Sequence, residues 1–247
     1  NLWDTSSVTN GLHTLQAIAR DVNCNWAMMG VSVVVNNPIP QPPTDRLVAA
    51  YSFGEGSGTT TADVSGNGNT GTISGATWTS PGKHGGALSF GGVGMVSVAD
   101  SNSLDLTNGM TLEAWVYPAA SPASWTTLIL KETSGNLVYA LFVDPTDRPG
   151  VYVFTSGGGL QAATGPSALP LNTWTHVAGT YDGASLRLYI NGSEVASAPA
   201  SGDIVTATGP LRVGGNSIWG EYFIGTIDDV RVHGRALVPA EILSDMS

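Results

Sequence analysis

Apolar stretches in this chain are short, and each ends abruptly. Met110-Thr111-Leu112-Glu113-Ala114-Trp115-Val116-Tyr117 stops at Pro118, residues 174–181 stop at Asp182-Gly183, and Ser185–Ile190 stops at Asn191-Gly192. Asp-Gly and Asn-Gly between apolar runs are hairpin turn signals that bracket Ser185–Ile190, which predicts a three-strand meander. Further strands are expected at 47–53, 72–78, 125–131, 137–143, 150–154, 211–214 and 223–232, with a hairpin of 87–90 and 95–98 around Gly91-Gly92. Pro239 opens a short helix over Pro239–Asp245, where its missing N–H does no harm. Roughly a dozen short strands with tight turns predict an all-β fold, a two-sheet antiparallel jelly-roll sandwich ending in that helix.

The 247 residues leave room for one such domain plus an appendage. Charged residues make up only 11% and the net charge is −10, with Lys83 and Lys131 the only lysines. That balance excludes a nucleic-acid binder and disfavours anionic membrane surfaces. A surface of Ser, Thr, Asn, Gly and Asp suits a secreted or cell-surface protein. No apolar run reaches the roughly 18 residues a membrane-spanning helix needs, so no membrane insertion is expected. The sequence opens at Asn1 with no signal-peptide pattern, so the chain is expected to be cut from a longer precursor. The single Cys24 has no internal disulfide partner and is expected to be a small, half-buried residue.

Residues 1–37 read as two strands, 12–21 and 28–35, around a turn at Val22-Asn23-Cys24-Asn25-Trp26. Residues 38–45 hold four prolines and form an extended, semi-rigid linker to the domain at 46–247. The hairpin resembles the last two strands of bacterial immunoglobulin-like modules, with Cys24 where such turns place glycine. Two strands alone are marginal in water. The segment is therefore expected to order by docking, within its own chain or on a neighbouring one, which would be self-association.

Within 46–247, several motifs stand in a fixed order. They are Asp63-Val64-Ser65-Gly66-Asn67-Gly68-Asn69, Thr111-Leu112-Glu113-Ala114-Trp115-Val116, Trp174-Thr175-His176-Val177-Ala178, Leu188-Tyr189-Ile190-Asn191-Gly192 and Gly225-Thr226-Ile227-Asp228-Asp229-Val230-Arg231-Val232. Together they resemble the laminin G-like domains of the concanavalin A-like superfamily, in their bacterial, pentraxin-related form.

A structural calcium site is expected from two of these motifs. In the last strand, alternation turns one of Asp228 and Asp229 toward the apolar side, and a buried carboxylate needs a partner. Asp63, Ser65 and Asn67 occupy alternate positions before Gly68, the spacing of oxygen ligands in a calcium loop, and Asn69 adds an amide oxygen. The loop lacks a second carboxylate, which Asp228 can supply. The laminin G-like resemblance implies such a link between the early loop and the last strand. An ordinary solvated turn is the competing reading of Asp63, Ser65, Asn67 and Asn69.

A ligand site is expected where aromatics sit in loops. Trp219 and Tyr222 share the segment Gly214–Tyr222, read as a flexible loop, Trp125 lies just before a strand, and Asp144 and Arg148 form a polar turn. Aromatic faces with a few fixed polar groups are what sugars require. Trp78, Trp115 and Trp174 fall in strand patterns and are expected in the core. Glu113 is the best-placed carboxylate for acid catalysis. No second carboxylate follows at the spacing that glycan-cleaving relatives of the fold use, so a structural role is favoured. The histidines 13, 84, 176 and 233 show no metal-ligand spacing.

The expected function is a non-catalytic, carbohydrate-binding or adhesive module with a polysaccharide or glycan partner. A spacer domain without glycan affinity is the alternative, and a glycoside hydrolase or polysaccharide lyase is a more distant one.

Overall fold

A computed structural model describes residues 11–35 and 47–247. The linker expected at 38–45 lies outside the described residues. The chain divides into two compact units, Asn1–Asp45 and Arg46–Ser247.

In the first unit, β1 (Gly11–Arg20) pairs antiparallel with β2 (Trp26–Val35). The turn is held by Asp21, whose Oδ1 accepts the N–H groups of Asn23 and Asn25 at 2.9 and 2.8 Å. Cys24 sits at φ +66°, the left-handed conformation that a glycine at this position would supply. It is exposed rather than half-buried, because a two-stranded ribbon has no second layer to cover its turn.

The second unit begins with β3 (Leu47–Tyr51), β4 (Thr60–Thr61), β5 (Gly71–Thr79), β6 (Ala87–Val98) and β7 (Met110–Pro118). It continues through β8 (Thr126–Thr133), β9 (Asn136–Val143), β10 (Pro149–Thr155), β11 (Gly159–Thr164) and β12 (Thr175–Tyr181). It closes with β13 (Ser185–Ile190), β14 (Ser193–Pro199), β15 (Leu211–Val213), β16 (Ile224–His233) and the helix α1 (Pro239–Asp245). One layer has the order β11-β10-β9-β8-β15, and the other β16-β7-β12-β13-β14 with β3 also beside β16. The main core lies between them and draws on both: Leu141, Val151 and Val153 from one, Leu112, Ala114, Val177 and Ile227 from the other. The expected two-layer antiparallel sandwich is what forms, and the meander β12-β13-β14 is present.

The expected hairpin at Gly91-Gly92 is instead a single strand. Leu88 to Gly91 of β6 pair with β16, and Val96 to Val98 pair with β15, so β6 links the two layers. Gly92, at φ +84°, lets the strand bend between its two partners. Strand β11 was not expected: Gly-Leu-Gln-Ala-Ala-Thr is weakly β-prone, and its place at the end of β10 decides it.

Two register shifts in the β8–β9 pairing bring Leu128 with Ile129, and Val138 with Tyr139, into the main core. Neighbouring strand residues that alternate with the core then point outward. Leu130, Leu137, Ala140, Phe142 and Tyr152 form a second buried cluster on the outer face of the first layer. Ala178, Tyr189, Leu237 and Ile242 form a third on the outer face of the second layer, under α1.

Candidate functional site

The outer face of β8, β9 and β10 is aromatic where a solvated sheet face would be polar. Trp125, Phe142 and Tyr152 meet edge to face, with centroids 5.6 to 5.9 Å apart. Trp219 joins at 6.5 Å from Phe142. Phe142 and Tyr152 form the floor, while Trp125 and Trp219 are 39% and 45% exposed and stand as walls. These four, with Leu137, Leu160 and Glu221, line an open cavity of about 220 Å³. That is below the roughly 300–1,000 Å³ of pockets that enclose a small ligand. The shape suits one or two rings of a longer chain resting on the surface.

The wall carrying Trp219 is pinned, not flexible. Gly215 bridges to Tyr222 and closes the segment. Asn216, fully buried, accepts the Trp219 N–H through Oδ1 at 2.8 Å and donates through Nδ2 to Thr127 Oγ1 and to Glu221 Oε2, both at 2.8 Å. The Ser217 N–H donates to Glu132 Oε1 at 2.9 Å. Burial raises the Glu221 carboxyl above its ordinary value against the lowering effect of the Asn216 amide. It is the polar group inside an otherwise apolar cavity.

The expected residues divide among three places. Trp125 and Trp219 come together in the aromatic cavity. Asp144 and Arg148 form a turn near Tyr152, whose hydroxyl is raised first by burial, with the Asp144 charge adding to that and Arg148 opposing it. Asp144 is engaged there: its Oδ1 accepts from the Thr146 N–H and hydroxyl, and its Oδ2 takes the Arg148 Nε and Nη2 at 3.1 and 3.0 Å. Burial works to raise the Asp144 carboxyl, but these donors hold it below its ordinary value. Arg148 remains partly exposed. Tyr222 faces a different cavity of about 270 Å³, shared with Asp147, Leu169 and Ile224. Phe142, Tyr152 and Glu221 were missed because Phe142 and Tyr152 sit inside apolar runs. Their alternation with the core residues Leu141, Val143, Val151 and Val153 was the available signal.

The carboxylates expected to share a cation rest on separate supports. Asp63 Oδ1 accepts the N–H groups of Ala50 and Ser65 at 3.0 and 2.9 Å. Its Oδ2 accepts the Ser65 hydroxyl and the Asn69 N–H at 2.8 and 2.9 Å. Asn67 and Asn69 each donate through Nδ2 to the Val48 carbonyl, at 3.1 and 2.8 Å. Burial alone would raise the Asp63 carboxyl, but its four donors hold it below the ordinary value. Asp228, fully buried, accepts the His84 N–H at 2.8 Å through Oδ2 and the Asp229 N–H at 2.8 Å through Oδ1. Burial raises its carboxyl, and the neighbouring Asp229 charge adds to that against the backbone donors. Glu113 is also fully buried, on the face of β7 away from the core, where no polysaccharide can reach it.

A family model of the concanavalin A-like lectin/glucanases superfamily matches residues 90–243. No curated protein matches the chain. Among solved structures, the chain is similar to domain 4 of AbnA, a GH43 extracellular arabinanase from Geobacillus stearothermophilus, in complex with arabinotriose. That likeness has a TM-score of 0.67 at 24% identity, over 82% of this chain and 99% of the other. The binding domain of Paraclostridial Mosquitocidal Protein 1 is similar at TM-score 0.65 and 15% identity, over 81% and 52%. The binding domain of Botulinum Neurotoxin DC in complex with SialylT is similar at TM-score 0.62 and 12% identity, over 82% and 51%.

Proposed function

The chain belongs to the concanavalin A-like lectin/glucanases superfamily, and we propose that it is a non-catalytic carbohydrate-binding or adhesive module of a secreted or cell-surface multidomain protein. The observation that carries this reading is the aromatic cavity on the side of the first layer away from the core. Indole faces left open to water cost hydration free energy and recover it when the C–H face of a sugar covers them. Glu221 inside, and Arg148 with Asp144 beside Tyr152, supply the kind of fixed polar groups that orient hydroxyls. The structural neighbours in complex with arabinotriose and with SialylT favour a glycan as the ligand class. Among the described residues no helix is long and apolar enough to cross a membrane.

The test is a broad glycan array followed by calorimetry on the best hit. Trp219→Ala and Trp125→Ala are each expected to weaken binding tenfold or more with the fold retained. A parent that binds nothing on the array would leave the domain a spacer without glycan affinity.

We also propose that a structural calcium ion, if bound, is held through Asp228. A buried carboxylate whose charge is penalised and which keeps unused lone pairs fits a hard cation. Asp63, Ser65, Asn67 and Asn69 fit less well, because the Asp63 oxygens already accept four donors and both amides present nitrogen to a carbonyl. Calcium added to metal-free protein should raise the melting temperature, and Asp228→Ala should remove that response. An unchanged melting temperature in the parent would end the proposal.

A further inference from the structure

The outer face of the second layer holds a group of side chains that glycan binding leaves unused. Glu113 comes from β7, His176 from β12, His233 from β16 and Asp245 from α1. Each strand residue alternates with core neighbours: Leu112 and Ala114, Val177, and Val232. All three therefore point away from the core and into the space beneath the C-terminal segment. The side chains of Glu113 and His176 are fully buried, and His233 is nearly so.

These side chains stand within ion-pair reach of one another, at separations longer than ordinary hydrogen bonds. Glu113 Oε1 lies 3.4 Å from His233 Nε2, and Asp245 Oδ2 lies 3.6 Å from the same nitrogen. Glu113 Oε2 lies 3.6 Å from His176 Nε2. Ordinary N–H···O bonds are about 2.9–3.0 Å. Neither Glu113 oxygen nor either His176 ring nitrogen meets hydrogen-bond geometry with any group. A buried carboxylate left in that condition is costly unless a charge compensates it. Ligand atoms about 2.0–2.2 Å from a tetrahedral ion stand roughly 3.3–3.6 Å apart, the range in which His233 Nε2 lies from both carboxylates. One ligand atom each from Glu113, His233 and Asp245 lies within 4.8 Å of the other two.

We propose that Glu113, His233 and Asp245 form a divalent transition-metal site of the zinc class, joining α1 to strands β7 and β16. Imidazole nitrogen with two carboxylates suits zinc or cobalt, whereas calcium takes six to eight oxygens. His176, against the second oxygen of Glu113, is a positioning residue that orients the ligand carboxylate. Arg231, on the same face, is directed past the cluster: its guanidinium donates to the Asp245 backbone carbonyl and lies 3.9 Å from Asp229. The site is separate from the aromatic cavity and from Asp63. It ties α1 down on this face.

The test uses the full chain, stripped of metal, with Co²⁺ and Zn²⁺ as the probes. Co²⁺ should bind one equivalent with visible absorption bands of low-coordinate geometry, Zn²⁺ should displace it, and Zn²⁺ should raise the melting temperature. Asp245→Asn, at the partly exposed end of α1, should keep the fold and weaken Co²⁺ binding at least tenfold. His233→Gln should do the same, while Trp219→Ala should leave metal binding intact. The proposal fails if the parent takes up neither ion. It fails equally if Asp245→Asn binds Co²⁺ as tightly as the parent, which would place the ion on a surface histidine.

Discussion

The two outer faces of the sandwich start from the same strand geometry and reach different ends. On β8–β10, residues alternating with the core are Leu130, Ala140, Phe142 and Tyr152, and beside them Trp125 and Trp219 are partly exposed among the described residues. On β16-β7-β12, the alternating residues are His233, Glu113, His176 and Ala178, and α1 lies over them. The more open face is rich in rings. The covered face is rich in titratable groups. A sheet face becomes a site or a satellite core according to what packs on it, and the residues must suit that outcome.

The largest expected effect separates the faces by stability. Ile242→Ala under α1 should cost about 2–5 kcal/mol in urea unfolding, as a fully buried aliphatic truncation does. Leu160→Ala at the open cavity should cost less than about 0.5 kcal/mol, because its side chain is half exposed. Equal losses would erase the distinction.

Asp63 gives a second contrast, between a carboxylate the protein satisfies and one it does not. Asp63→Ala should cost about 1–3 kcal/mol, since it leaves several N–H donors without an acceptor. Because the folded carboxyl is depressed, the stability it contributes is full above the ordinary carboxylate value and is lost as pH falls through the folded one. The acid limb of the parent's stability curve should therefore flatten in the variant. An unaltered limb would remove Asp63 from the account.

Next, Trp125→Ala should change stability by no more than about 1 kcal/mol while weakening glycan binding about tenfold, reversing the pattern of Ile242. A Trp125 variant that unfolds would make that ring part of the core. The smallest effect belongs to Glu221. Its raised carboxyl means the folded state holds the proton longer, so stability should fall slightly as pH rises above the ordinary carboxylate value. Glu221→Gln should abolish that slope, and a slope that survives would belong to another group.

Several strands were legible because they carry their own stop signals: Pro118 at the end of β7, Asp182-Gly183 after β12, Asn191-Gly192 after β13. Local steric preference acts within a few residues, and a sequence displays it directly. Trp125 and Trp219 were legible as loop aromatics for the same reason. Phe142 and Tyr152 were not, because in an apolar run only knowledge of which parity enters the core tells floor from core. The register shifts between β8 and β9 change that parity. The expectation of a hairpin at Gly91-Gly92 failed because two glycines permit a bend as readily as a reversal. The partners β16 and β15, far off in sequence, chose the bend.

By itself the sequence determined that this chain is a two-layer β sandwich with a C-terminal helix, through turn chemistry and strand periodicity that act locally. Only the tertiary structure decided which side chains meet. Glu113, His176, His233 and Asp245 are spread over more than half the chain, and no spacing rule connects them. They converge because β7 pairs with both β12 and β16, and because the chain then folds α1 back across that face.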